Sequence, residues 1–123
     1  MNDIKIANLD KKFCGVDDLY SYLIKNQNFI ENITGITLDK TLQLKNFCVI
    51  GREKIVERKV VFFASNRDLP ESLGELIVFT SAYDADIAVF FLKNCNKNYL
   101  MPLTWLQKIC QKDYQFIVIK ANY

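Results

Sequence analysis

The chain has 123 residues, of which half are hydrophobic and about a quarter are charged. This length fits one domain, residues 1–123, and the composition is typical of a globular protein rather than a disordered one. The net charge of +2 is too small to indicate nucleic acid or an anionic membrane by itself. Because the chain has no histidine, it lacks the commonest general base and zinc ligand, which excludes Ser-His-Asp, Cys-His and HExxH chemistry.

The N-terminus and the cysteines bear on location. The opening residues, MNDIKIANLD, have neither the basic region nor the apolar run of a signal peptide, and no stretch approaches the roughly 18 apolar residues of a membrane span. Cys14, Cys48, Cys95 and Cys110 form no CxxC pair, which favours free thiols over zinc ligands or a redox motif. We therefore expect a cytoplasmic protein with no membrane, metal or cofactor.

The first half of the chain predicts a helix and a meander. DIKIANL is typical of a short strand or an arm. A helix is predicted for GVDDLYSYLIKNQNFIENITG, where apolar residues recur at helical spacing, and it should end near Gly35. ITLDKTLQL, NFCVI and IVERKVVFFAS are rich in β-branched and aromatic residues. They predict three antiparallel strands, with GREK, Gly51 to Lys54, as the turn between the second and third.

The second half alternates helix and strand. LPESLGELIVFTSAYDA is a predicted helix with Pro70 in its first turn, and the apolar run DIAVFFLK is typical of a central strand. Pro102 is expected to open the helix PLTWLQKICQK. The preceding segment, from Lys93 to Pro102, is expected to connect strand to helix, and a contact surface for a partner is the alternative. QFIVIKA is the last strand. The order helix-strand-strand-strand-helix-strand-helix-strand predicts a three-layer α/β/α domain with a mixed central sheet.

Three segments of the chain resemble a known family in the same order and at similar spacing. LGELIVFTSAYDADIAVFFL looks like LGQLLTYAAGLDADRAVWI, DLYSYLIKNQNFIEN looks like DLQEWLAENPELIE, and PLTWLQKICQK is similar to a helix containing ALDWLNE. These are patterns of small stand-alone members of the PD-(D/E)XK phosphodiesterase superfamily, which has the restriction-endonuclease-like fold. The resemblance covers the chain from about Val16 to Lys120.

The resemblance implies a metal-dependent active site whose residues are missing here. The family carries a carboxylate on the second meander strand, and a carboxylate and a lysine or glutamine two residues apart on the third, where they share one face. The corresponding positions hold Cys48, Phe63 and Ser65, and no Asp or Glu occurs between Lys40 and Arg52 or between Arg58 and Arg67. Cysteine, phenylalanine and serine do not replace hard oxygen ligands for Mg²⁺. The resemblance thus implies the fold without its active site.

Two other groups of residues are weaker candidates. Asp39, Glu57 and Lys59 include an E-x-K pattern, but Glu57 precedes the family position by six residues, roughly 20 Å along a strand. A solvated face is the favoured interpretation of these three residues. A set of basic residues is a candidate phosphate-binding surface, although nearby glutamates reduce its positive charge. Its members are Arg52, Lys54, Arg58, Lys59 and Arg67.

Three hypotheses for function follow. The first is a catalytically inactive nuclease-fold protein that binds a protein partner as an inhibitor, adaptor or accessory subunit, in the kind of conflict that phages and mobile elements provoke. The second is a non-catalytic module that binds DNA or RNA, and the third is a Mg²⁺-dependent nuclease with migrated catalytic residues. Self-association is open in all three.

Overall fold

The computed structural model describes residues 5–39, 42–45, 47–65, 69–93, 97–109 and 115–123. These residues form six strands and four helices. In chain order the elements are β1 (Lys5–Lys12), α1 (Val16–Lys25), α2 (Gln27–Thr34), β2 (Gln43–Lys45), β3 (Cys48–Arg52), β4 (Lys59–Ala64), α3 (Leu69–Ala82), β5 (Ile87–Leu92), α4 (Lys97–Ile109) and β6 (Gln115–Asn122).

All six strands belong to one mixed sheet in the order β1-β6-β5-β4-β3-β2. Strands β2, β3 and β4 form an antiparallel meander. The pairs β4–β5, β5–β6 and β6–β1 are parallel. The prediction of an α/β domain with a mixed central sheet is confirmed. The predicted order did not include β1. The segment DIKIANL, which overlaps this strand, was predicted to be either a short strand or an arm.

The three central strands are buried on both faces. In β4, Val60, Phe62 and Ala64 pack with α1 and α2, and we call this cluster the α1/α2 core. Val61 and Phe63 point the other way, into a cluster with α3 and α4 that we call the α3/α4 core. The same alternation runs through β5 and β6, because successive strand residues point to opposite faces. Near-continuous apolar runs therefore form these strands.

The predicted opening helix is two helices. Asn26 leaves helical geometry at φ −133° between α1 and α2, and its side-chain amide donates to the carbonyl of Tyr22 at 3.2 Å. Asparagine competes for backbone hydrogen bonds in this way, which disfavours a helix interior. The predicted end near Gly35 is confirmed, since Gly35 closes α2 in the left-handed region at φ 77°.

The predicted turn at GREK is wrong. Gly51 and Arg52 belong to β3, and the turn lies at residues 54–56, so β4 begins at Lys59 rather than near Ile55. The hairpin is held by a backbone hydrogen bond of 2.8 Å from the Glu53 amide to the Arg58 carbonyl. Upstream, the described residues of ITLDKTLQL form a bridge at Leu38 and the first two residues of the three-residue β2.

The helix predicted to open at Pro102 begins earlier, at Lys97, and contains the proline. Proline removes one intrahelical hydrogen bond, but Leu100 on one side and Leu103 on the other both pack into the α3/α4 core. Their burial offsets the lost bond, so the predicted connection is partly helical. Among the described residues, no helix is long and apolar enough to cross a membrane.

Two glycines provide a matched test of the packing. A Cβ on Gly51 would collide with the side chain of Leu42, whereas a Cβ on Gly74, on α3, would meet no atom within 4 Å. We expect Gly51→Ala to lower the free energy of unfolding by about 1 kcal/mol, the low end of the cost of overpacking, because the colliding atom is a terminal methyl of Leu42 that can shift. Gly74→Ala should raise it by about 0.5–1 kcal/mol because alanine favours the helix. Urea denaturation measures both, and equal effects would contradict the structure.

Candidate functional site

Cys48 and Phe63, two of the positions expected to be catalytic, lie on one face of the sheet. Strands β3 and β4 pair with Val49 opposite Phe62, and Cys48 and Phe63 each lie one residue from that pair. Both side chains belong to the α3/α4 core and are 0% and 1% exposed. The Cys48 thiol donates to the carbonyl of Lys45 at 3.4 Å, and burial raises its pKa to about 11. The position of the first carboxylate is therefore a neutral, buried thiol.

An aromatic cluster fills the space around Phe63. Its ring centroid lies 5.4 Å from that of Phe79 on α3 and 5.3 Å from that of Phe90 on β5. Phe79 is in turn 6.5 Å from Phe47, whose side chain is 73% exposed. The rings lie at the distances of favourable tilted aromatic pairs. Apolar side chains thus occupy the region from the surface inward to the expected metal position.

Two tyrosine hydroxyls hold the carboxyl end of β4. The Tyr20 hydroxyl, from α1, accepts the Ala64 amide at 2.8 Å and donates to the Phe47 carbonyl at 2.8 Å. The Tyr123 hydroxyl lies 2.8 Å from the carbonyl oxygens of both Ser65 and Phe91. Burial raises the pKa of Tyr20 well above its usual range, which keeps this hydroxyl a hydrogen-bond donor. The Tyr123 hydroxyl therefore holds the backbone of Ser65, the residue at the expected lysine position.

The structure brings Asp39 and Lys59 to the lining of one pocket, described below, and Glu57 does not line it. Asp39 is exposed, and its amide donates to the Arg52 carbonyl at 2.9 Å. Lys59 is the first residue of β4, whereas Glu57 precedes the strand in the left-handed region at φ 60°. The expectation that Glu57 belongs to the third strand is therefore wrong. Among the described residues, no three His, Cys, Asp or Glu side chains form a group that could hold a metal ion.

The described basic residues differ in their surroundings. Arg58 makes a two-bond ion pair with Glu53, at 2.8 and 2.9 Å, which lowers the pKa of that glutamate. Arg52 and Lys59 lie directly opposite each other on β3 and β4. Lys54 is exposed in the hairpin turn. Arg67 lies outside the described residues.

An open pocket of about 510 Å³ brings together several of the candidates. We call it the β3–β4 pocket. It lies where the sheet extends beyond the end of α3, and it was not predicted as a site because its walls come from distant segments. It is lined by Asp39, Gln43, Ile50, Gly51, Arg52, Lys59, Val60, Tyr83 and Ala85.

Helices α3 and α4 expose apolar side chains that the sequence predictions passed over. Trp105, for example, is 60% exposed although it lies in the middle of α4. We call this region the α3/α4 outer surface. It consists of Ile77, Val78, Met101, Trp105 and Ile109. The signal in the sequence was the spacing of Met101, Trp105 and Ile109, four residues apart, opposite the leucines that face the core.

The outer faces of α1 and α2 are polar by contrast. Their exposed residues are Asp17, Asp18, Ser21, Lys25, Asn28 and Asn32. Helices α1 and α2 cover one face of the sheet, and α3 and α4 cover the other. Exposed apolar side chains are therefore not a general feature of the helices in this domain. Exposed apolar residues that recur along one side of a helix, as Met101, Trp105 and Ile109 do on α4, are typical of interaction surfaces.

Comparisons of the chain with protein-family models, with curated proteins and with solved structures find no match. The resemblance to the PD-(D/E)XK superfamily therefore stays a prediction from the quoted segments.

Thiol labelling tests the closed environment of Cys48. We expect iodoacetamide at pH 8 to modify the exposed Cys14 in the native protein and to leave Cys48 unmodified. The reactive species is the thiolate, which is scarce when burial raises the pKa to about 11 and blocks access. Peptide mass spectrometry in buffer and in denaturant compares the two sites. Modification of Cys48 at the rate of Cys14 in buffer would contradict the buried position.

Proposed function

We propose that this chain is a PD-(D/E)XK-like protein that has lost catalysis and acts in the cytoplasm by binding another protein. The observation that carries the proposal is the closed packing of Cys48 and Phe63. A phosphodiesterase of this kind needs carboxylates that reach a solvated Mg²⁺ ion and a phosphate. Here the two positions share a face as the fold requires, but a thiol and a phenyl ring fill it without solvent exposure.

The topology supports the proposed relationship. An opening helical segment, an antiparallel meander, a helix and a strand parallel to the last meander strand follow one another, then a further helix and strand. This agrees with the order that the resemblance implies, in a three-layer α/β/α arrangement. Strand β1 is an addition that extends the sheet beyond β6.

The α3/α4 outer surface favours a protein over a nucleic acid as the partner. Nucleic acid is held mainly by cations that contact phosphates. The described part of this surface instead exposes a tryptophan, a methionine and three β-branched side chains, with Lys108 as the exposed cation beside them. Tryptophan is among the residues that most often dominate protein interfaces. The exposed composition thus resembles the apolar centre of such an interface.

We propose a different protein rather than a second copy of this chain as the partner. Helix α4 contains no acidic residue, and Lys108 is exposed in its last turn. Two copies packed α4 against α4 would bring like charge together, which is unfavourable at a desolvated contact. Helix α3 carries Glu71 in its first turn, so a contact of α3 with α4 of a second copy is an outcome that the test below distinguishes. The partner that complements this face carries an apolar ridge flanked by carboxylates. An inhibitor, adaptor or accessory subunit would each work through such a contact.

A binding assay with a surface variant tests this function. The wild-type chain is used to capture proteins from host lysate with and without nuclease treatment, and a protein captured in both is identified, purified and titrated by calorimetry. We expect Trp105→Ala to weaken binding by at least about tenfold, since truncation of a central aromatic anchor costs about 2 kcal/mol or more. Ile55→Ala is the control, because Ile55 is 82% exposed at the hairpin turn, away from this surface.

Three results would contradict the proposal. Equal affinity of the Trp105→Ala variant would remove the α3/α4 outer surface from binding. Capture that disappears after nuclease treatment would indicate nucleic acid as the partner. A stable homodimer that Trp105→Ala dissociates, seen by light scattering, would show that a second copy occupies the surface.

A further inference from the structure

We propose that the β3–β4 pocket binds a small organic phosphate of the nucleoside monophosphate class. This site is separate from the α3/α4 outer surface and does not rest on the protein-binding function.

The first observation is a cationic pair on one face of the sheet. Arg52 and Lys59 are directly opposite across β3 and β4. Each lies two residues from a side chain of the α3/α4 core, Ile50 and Val61 respectively, so both point to that face. Like charges directly opposite in a sheet repel each other. Neither side chain has a salt-bridge partner among the described residues, so a bound anion would relieve the repulsion.

The second observation is the size and lining of the cavity. A volume of about 510 Å³ falls within the range of small-molecule sites, about 300–1,000 Å³. It far exceeds what a phosphate ion alone would fill. Ile50, Tyr83 and Ala85 provide an apolar and aromatic wall, while Asp39 and Gln43 provide polar groups on the lining. The ligand therefore combines an anionic group, a ring and hydrogen-bonding groups.

The backbone beneath the two cations is fixed. The Lys59 amide donates to the Asp86 carboxylate at 3.1 Å, and the Lys59 carbonyl accepts the Asp86 amide at 2.8 Å. On the neighbouring strand the Arg52 carbonyl accepts the Asp39 amide at 2.9 Å. A charged group on a fixed strand loses less conformational freedom on binding than one on a loop. The cationic pair is thus positioned before the ligand arrives.

The carboxylates near the pocket restrict the class of ligand. Asp39 lines the pocket and Asp86 contacts the backbone of Lys59, so a polyanion lying across the whole region would meet negative charge. A single phosphate can lie on the Arg52 and Lys59 side. The Asp39 carboxylate accepts hydrogen bonds only, which suits ligand hydroxyl or amino groups. A nucleoside monophosphate carries all of these groups in one molecule.

The cations near the pocket differ in whether a neighbouring carboxylate neutralises them. Arg58, in the same hairpin, is neutralised by Glu53 through two hydrogen bonds. Lys45 lies with its ammonium 5.6 Å from the ring centroid of Tyr83, so it adds positive charge at the aromatic wall. Three of the described cations thus lie at or beside the pocket, whereas in the hairpin beyond it Arg58 is neutralised and Lys54 is an exposed cation. An extended nucleic-acid backbone would need the opposite distribution.

Calorimetric titration with adenosine 5′-monophosphate tests the proposal, with adenosine and inorganic phosphate as separate probes. We expect the monophosphate to bind with a Kd of about 1 mM or tighter, and each separate probe to bind more weakly by about tenfold or more, because each fills part of the site. Arg52→Gln should weaken monophosphate binding by about tenfold, the equivalent of one lost charge-assisted hydrogen bond. Arg52→Lys should recover part of the affinity.

Lys54→Gln is the matched control, since Lys54 is an exposed cation of the same hairpin that does not line the pocket. Its affinity for the monophosphate should equal that of the wild type. The proposal is overturned if the monophosphate does not bind, or if inorganic phosphate binds as tightly. It is also overturned if Arg52→Gln and Lys54→Gln weaken binding equally, or if a thymidine oligonucleotide binds more tightly than the monophosphate and competes with it.

Discussion

The burial of β4 on both faces is the constraint on which the rest of the structure depends. Each residue from Val60 to Ala64 must point into one of two cores, and an unpaired carboxylate in either core would carry a large desolvation penalty. The active site that the resemblance implies would need the opposite, polar side chains that reach solvent. At the position where a carboxylate was expected, the phenyl ring of Phe63 completes the packing, and the tyrosine hydroxyls hold the end of the strand.

The two exposed regions of interest differ in chemistry. The α3/α4 outer surface exposes Trp105 among aliphatic side chains and Met101, and its composition suits a protein. The β3–β4 pocket is lined by Arg52 and Lys59 together with Tyr83, and its composition suits a small anion. The pocket includes Tyr83 and Ala85, which follow the end of α3.

Local patterns in the sequence predicted the sheet and its central strands. The apolar runs that become β5 and β6 are unambiguous because both faces of those strands are covered. Alternation predicted that the positions of Phe63 and Ser65 share a face of their strand, whereas the placement of Cys48 across from Phe63 depends on the register of β3 and β4, which no local pattern specified. The break at Asn26 and the turn after Arg52 were missed because each depends on single hydrogen bonds. The pocket and the contact of Tyr20 with Ala64 join residues far apart in the chain, which no local pattern encodes.

The positions at which the resemblance places a metal site, Cys48 and Phe63, lie in a closed apolar core. Paramagnetic broadening of amide NMR signals by Mn²⁺ tests this closure most directly, because Mn²⁺ takes the oxygen ligands that Mg²⁺ takes. The account predicts that the amides of Cys48, Phe63 and Ser65 keep the same relative intensity as other buried amides across a Mn²⁺ titration. Selective loss of these three signals at low Mn²⁺, reversed by excess Mg²⁺, would show a metal bound at the site and would contradict the account.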